Sequence, residues 1–89
     1  MNLPILYVKD GCPWCVEAIN FFEEIGLQYE MVDVRKNPER MTELVGCSGQ
    51  NKTPTLKSEE FVVADFDTDE FKTAMKNNPI EAKKIGFSL

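Results

Sequence analysis

The chain is expected to fold as an α/β protein: a four-stranded mixed sheet with helices on both faces, in the order β-α-β-α-β-β-α. Three observations carry that expectation. An apolar run gives way to helical spacing within residues 3–25, a period-two stretch follows at 28–34, and two short strand-like runs close to one another precede a last helical segment.

Residues 3–8, LPILYV, are almost wholly apolar, as a strand buried on both faces should be. In CPWCVEAINFFEEIG, Cys15, Ala18, Ile19, Phe22 and Ile25 recur at helical spacing, and Gly26 is placed to end the helix. QYEMVDV, 28–34, alternates with β-branched and aromatic residues and reads as the second strand. Pro38 can open a second helix at its first position, with ERMTELVG carrying it to Gly46. CSGQNK, 47–52, reads as a polar loop. TPTLKS and EFVVAD, around Ser58, Glu59 and Glu60, form an expected hairpin, and 67–77 the last helix, stopped by NNP. The tail IEAKKIGFSL adds a short helical turn packed by Ile80, Ile85 and Phe87. No repeat, linker or low-complexity stretch divides residues 1–89, so one domain is expected.

The handedness of β-α-β units makes strands one and two parallel neighbours, and the hairpin then adds antiparallel to the same sheet. In such sheets sites form at the carboxyl ends of the parallel strands. Cys12 falls there.

Composition narrows the function classes. With 43% hydrophobic and 28% charged residues the chain is of the soluble globular type. No apolar run approaches the roughly 18 residues of a membrane span, and no leader pattern opens the chain, so a reducing cytoplasm is expected. Fifteen acidic against ten basic residues give a net charge of -5, without a Lys/Arg run to track phosphates, which argues against nucleic acid. The chain has no histidine, which removes the commonest zinc ligand and the usual imidazole base. Three cysteines are too few for a disulfide-stapled scaffold, so catalysis or redox sensing is the better home for a close pair.

That pair is Cys12-Pro13-Trp14-Cys15. If the helix begins just after Cys12, Pro13 occupies its first position and Cys12 the N-cap, its sulfur facing unpaired amides that favour thiolate. Cys15, one turn in, is expected to be more buried. Two cysteines so placed can close a disulfide, one attacking and one resolving. A metal site would need four ligands, and the motif supplies two, with Cys47 a third only if the fold brings it near. Buried packing suits Cys15, but not Cys12 between Gly11 and Pro13.

LYVKDGCPWC after the first strand, KTP opening the third and VVADFDTDEF leading into the last helix together resemble a glutaredoxin of the thioredoxin superfamily. The resemblance reaches to about Asn78. It implies a thioredoxin-like fold and glutathione-linked thiol–disulfide exchange with glutathione mixed disulfides and protein disulfides. Cys12 is similar to the nucleophile and Cys15 to the resolving thiol. The implied glutathione contacts are Lys9 for a carboxylate, Trp14 as an apolar rim, Thr53 through its peptide group, Pro54 as a cis-proline, and Asp67 with Thr68 at the last helix.

The family's Gly-Gly-x-Asp-Asp turn falls on Ala64-Asp65-Phe66-Asp67-Thr68, without either glycine. Asp67 with Glu70 also reads as an N-cap and capping-box partner. Val16 and Glu17 stand where many relatives are basic, so only a moderate lowering of the Cys12 pKa is expected. Cys47 reads as a bystander, and Ile19, Phe22, Leu44 and Met75 as core.

No bound prosthetic group is expected, with glutathione as cosubstrate and a monomeric protein. The rival is a thioredoxin-like electron carrier reduced by a flavoprotein and serving something like ribonucleotide reductase. A glutathione-ligated two-iron two-sulfur carrier and an interaction module with inert cysteines are the further alternatives.

Overall fold

A strand that feeds two cores needs apolar residues at consecutive positions. In β1, Ile5–Val8, Leu6, Tyr7 and Val8 are all buried. The computed structural model describes residues 3–88. After β1 come α1 (Pro13–Glu24), β2 (Glu30–Asp33), α2 (Pro38–Ser48), β3 (Thr55–Ser58), β4 (Phe61–Val63), α3 (Thr68–Asn77) and α4 (Pro79–Ile85).

The sheet order is β2-β1-β3-β4. β1 pairs parallel with β2, Tyr7 opposite Val32, and antiparallel with β3, Leu6 opposite Leu56, while β4 closes the hairpin antiparallel to β3. This is the expected four-stranded mixed sheet.

Alternation along β1 sorts the two cores. Leu6 and Val8 join Cys15, Ala18 and Phe22 of α1, Phe71 and Met75 of α3, and Ala82 and Ile85 of α4. Tyr7 joins Val32, Val34 and Leu44 on the α2 side. Helices therefore cover both faces. The first core is strongly aromatic: Phe22 lies 5.0 Å from Phe71 and 5.3 Å from Tyr29 between ring centroids. In the second, the buried Tyr7 hydroxyl donates to Glu43 at 2.9 Å, and Glu43 is paired in turn with Arg40. Burial, and then that hydrogen bond, push the Tyr7 pKa far up.

Several boundaries depart from the sequence reading. β1 begins at Ile5 rather than residue 3, and β2 is shorter than 28–34. α2 does not stop at Gly46; it runs through Cys47 to Ser48, and Gly49, at φ 74°, ends it. Gly46 is tolerated in the helix, whereas Gly49 supplies the left-handed residue that a C-terminus requires. Ile25 is the C-cap of α1 and 42% exposed, so it leaves the buried stripe, and Ile19 is only half-buried. The tail is a seven-residue helix, not a single turn. It packs through Ala82 and Ile85, while Ile80, assigned to the core from sequence, is 72% exposed. Pro79 starts α4, and the face of that helix that carries Ala82 and Ile85 to the core leaves Ile80 outside.

Candidate functional site

β1 ends at Val8, and Lys9, Asp10 and Gly11 turn the chain into α1. Gly11 takes φ 81°, a conformation costly for a residue with a Cβ. Two long cations hold this turn from outside: Arg35 donates to the Asp10 carbonyl at 2.7 Å and Lys9 to the Asn51 carbonyl at 2.7 Å. The turn delivers Cys12 to the N-cap of α1, where its sulfur accepts the Cys15 N–H at 3.2 Å. The first turn of α1 carries no acidic residue. Pro13 occupies the start of the helix, where its missing N–H leaves nothing unsatisfied.

Thr53 closes the site from the opposite element. Its carbonyl accepts from the Cys12 thiol at 3.8 Å, and its hydroxyl lies 3.8 Å from the same sulfur. The Thr53–Pro54 peptide is cis, as the sequence reading expected, and Pro54 is fully buried. The Pro54 carbonyl accepts the Phe66 N–H at 3.3 Å, which ties this segment to the chain leading into α3.

The two cysteines differ electrostatically. Burial pushes the half-buried Cys12 thiol up, but hydrogen bonds from the Cys15 side chain and amide, the Thr53 hydroxyl and the Trp14 amide outweigh it, so the net shift is downward. Cys15 is 1% exposed, and burial followed by its hydrogen bond with Cys12 pushes it up to about 11. A sulfur that accepts helix-terminal amides is stabilised as thiolate, and a sulfur in a hydrophobic core is not. The Lys9 ammonium is turned to the Asn51 carbonyl.

The remaining candidates are dispersed around this pair. Trp14 is 56% exposed beside Cys12 in the chain. Asp67 is the N-cap of α3 and accepts the Glu70 N–H at 2.7 Å, while the Glu70 carboxylate accepts the Asp67 N–H at 3.0 Å, completing the expected capping box. Asp65, where the resemblance expects a glycine, takes φ 50°, so the glycine-like backbone is kept with a side chain that tolerates it. Thr68 donates to the Glu17 carboxylate at 3.3 Å. Cys47, in the last turn of α2, donates to the Leu44 carbonyl at 3.5 Å and packs on the Tyr7 side of the sheet. Among the described residues, no group of three or more His, Cys, Asp or Glu is arranged to hold a metal ion. Sequence reasoning missed Arg35 and the link from Thr68 to Glu17, both of which join residues far apart in the chain.

A dithiol on a helix N-terminus at the carboxyl edge of a mixed sheet, with a cis-proline segment against it, defines a thiol–disulfide oxidoreductase of the thioredoxin fold. A glutaredoxin family model matches residues 5–63, and the chain belongs to that family. Among solved structures, a glutaredoxin from Archaeoglobus fulgidus superposes with a TM-score of 0.73 at 17% identity, over 85% of this chain and 88% of its own. A thioredoxin-like protein, solved as a mutant, gives 0.73 at 26% identity, over 85% and 97%. Buckwheat glutaredoxin in complex with glutathione gives 0.71 at 14% identity, over 98% and 83%. No curated protein sequence matches the chain. No helix among the described residues is long and apolar enough to cross a membrane.

Proposed function

We propose that this chain reduces glutathione mixed disulfides and protein disulfides in a glutathione-linked cycle, with Cys12 as nucleophile and Cys15 as resolving thiol. The observation that carries the reading is the asymmetry of the pair: Cys12 accepts the Cys15 amide at 3.2 Å and is shifted toward thiolate, whereas Cys15 is buried and held protonated.

The Cys12 thiolate attacks the glutathione sulfur of a mixed disulfide. A Cys12–glutathione disulfide forms, and the substrate thiolate leaves and takes a proton from solvent. A second glutathione thiolate then attacks the bound glutathione sulfur, releasing oxidised glutathione and restoring Cys12. With a protein disulfide, the Cys12 thiolate attacks one of its sulfurs, and the other leaves as a thiolate that takes a proton; Cys15 then loses its proton and attacks Cys12 Sγ, forming the Cys12–Cys15 disulfide and expelling the second substrate thiolate. Two glutathione molecules then reduce that disulfide.

In this reading, the Thr53 peptide group lies beside the reacting sulfur and pairs with an extended substrate, as in strand addition. Pro54 is buried next to it, Trp14 offers an apolar rim, and Lys9 can turn from the Asn51 carbonyl to a glutathione carboxylate. Asp67 and Thr68 stand at the helix end where backbone amides would take the γ-glutamyl carboxylate. The buckwheat relative, solved with glutathione, supports that choice of cosubstrate. A monomer in a reducing cytoplasm, with no prosthetic group, completes the proposal.

One feature supports the second reading, a thioredoxin-like carrier reduced by a flavoprotein. The amides of α3 are already capped by Asp67, with Asp69 and Glu70 in its first turn, so an incoming carboxylate meets negative charge. NADPH oxidation with a glutathionylated substrate separates the two. Glutathione with glutathione reductase should support turnover; activity only with thioredoxin reductase would discard the glutathione-linked reading.

A further inference from the structure

Trp14 and Glu17 are three residues apart in α1, so their side chains stand next to each other on one face of the helix. Trp14 is 56% exposed, Glu17 is exposed, and the Glu17 carboxylate is steadied by the Thr68 hydroxyl at 3.3 Å. α1 contains no lysine or arginine to neutralise that carboxylate. On the other side of Cys12 the cations Lys9 and Arg35 are each held by a backbone carbonyl. An apolar plate followed by a fixed carboxylate matches one kind of side chain: an aliphatic or planar stem that lies on the indole and ends in a cation.

Resting on the thiol–disulfide exchange reading above, we propose that Glu17, with Trp14, selects polypeptide disulfides and mixed disulfides that carry arginine or lysine close to the reacting cysteine. The substrate cation lies across Trp14 and pairs with Glu17 while the substrate sulfur meets Cys12. Thr68 is a positioning residue that holds the Glu17 carboxylate toward α3. The net charge of -5 adds a long-range pull on cationic partners, but the discrimination among flanking residues is local to α1.

The test uses three peptides, each glutathionylated at one cysteine and differing only in flanking residues: arginine, alanine or glutamate. They are compared by kcat/KM in the same coupled glutathione assay. Arginine should exceed glutamate by about fivefold to twentyfold, the size expected of one exposed ion pair and one cation–π contact together. In Glu17→Gln the ratio should fall at least to half, and in Glu17→Lys it should invert. Asp69→Asn, an acidic residue on α3, should leave the ratio as it is. The ratio within each variant cancels any change in Cys12 reactivity. Equal rates for the three peptides, an arginine preference that survives Glu17→Gln, or an equal loss in Asp69→Asn would each overturn the assignment. If no peptide turns over with glutathione, yet all do with thioredoxin reductase, the glutathione-linked reading falls. The ratio measured in that mixture still decides for or against Glu17.

Discussion

The N-termini of α1 and α3 solve the same problem with different atoms. Each begins with unpaired amides and a partial positive charge. At α3 a carboxylate takes the amide: Asp67 accepts from Glu70 N–H at 2.7 Å, and Glu70 returns a hydrogen bond at 3.0 Å. At α1 a sulfur takes it, Cys12 accepting from Cys15 N–H at 3.2 Å, with no acid in the first turn. A carboxylate cap takes no part in thiol chemistry, so its amides serve stability. A thiol cap gains its charge by losing a proton, and its amide partners draw that titration downward, so the same amides tune reactivity. One helix end is closed by its own residues; the other is left for chemistry.

Removing each cap should separate these roles. The largest effect falls on Cys12: Cys12→Ser should reduce turnover of glutathionylated substrate to the uncatalysed background, while Cys15→Ser keeps that activity and loses reduction of protein disulfides. The reverse pattern in the coupled assay would mean that the roles are exchanged. Next, Asp67→Ala should destabilise the fold by about 1 kcal/mol, lowering the melting temperature by roughly 4–8 °C for a chain of this size. The pH dependence of Cys12 alkylation should not move with it. A stable Asp67→Ala protein with an altered Cys12 titration would tie the α3 cap to the reactivity of Cys12. The smallest effect is Thr53→Val, close in shape but without the hydroxyl 3.8 Å from the sulfur. Because that hydroxyl helps hold Cys12 as thiolate, the alkylation midpoint should move upward. A midpoint that stays in place would leave the Cys15 thiol and the helix amides as the cause.

Short-range patterns were legible in the chain, and long-range ones were not. The change of period around Cys12, Pro13 at a helix start and the pairing of Asp67 with Glu70 three residues on all act within one or two turns. They therefore appear in sequence as spacing. Gly46 misled because a glycine reads as a terminator wherever it stands, and only the backbone shows that Gly49 takes the left-handed turn. Ile80 misled because hydrophobicity does not report the phase of a seven-residue helix. Arg35 reaches Asp10, 25 positions back in the chain, and Thr68 reaches Glu17, 51 positions back; both contacts depend on how β2 and α3 are set against α1. Lys9 stands three residues before Cys12, a closeness in sequence that says nothing of where its side chain ends. In the fold its ammonium is drawn to a carbonyl of the loop after α2.

The asymmetry of Cys12 and Cys15 underlies the whole account, and selective alkylation of the reduced protein across pH tests it most directly, with each cysteine followed by peptide mass spectrometry. The account predicts that Cys12 reacts first, with a midpoint below that of an ordinary thiol, while Cys15 stays unmodified until the pH approaches about 11. A Cys12 midpoint at or above the ordinary thiol value, or modification of Cys15 ahead of Cys12, would contradict it.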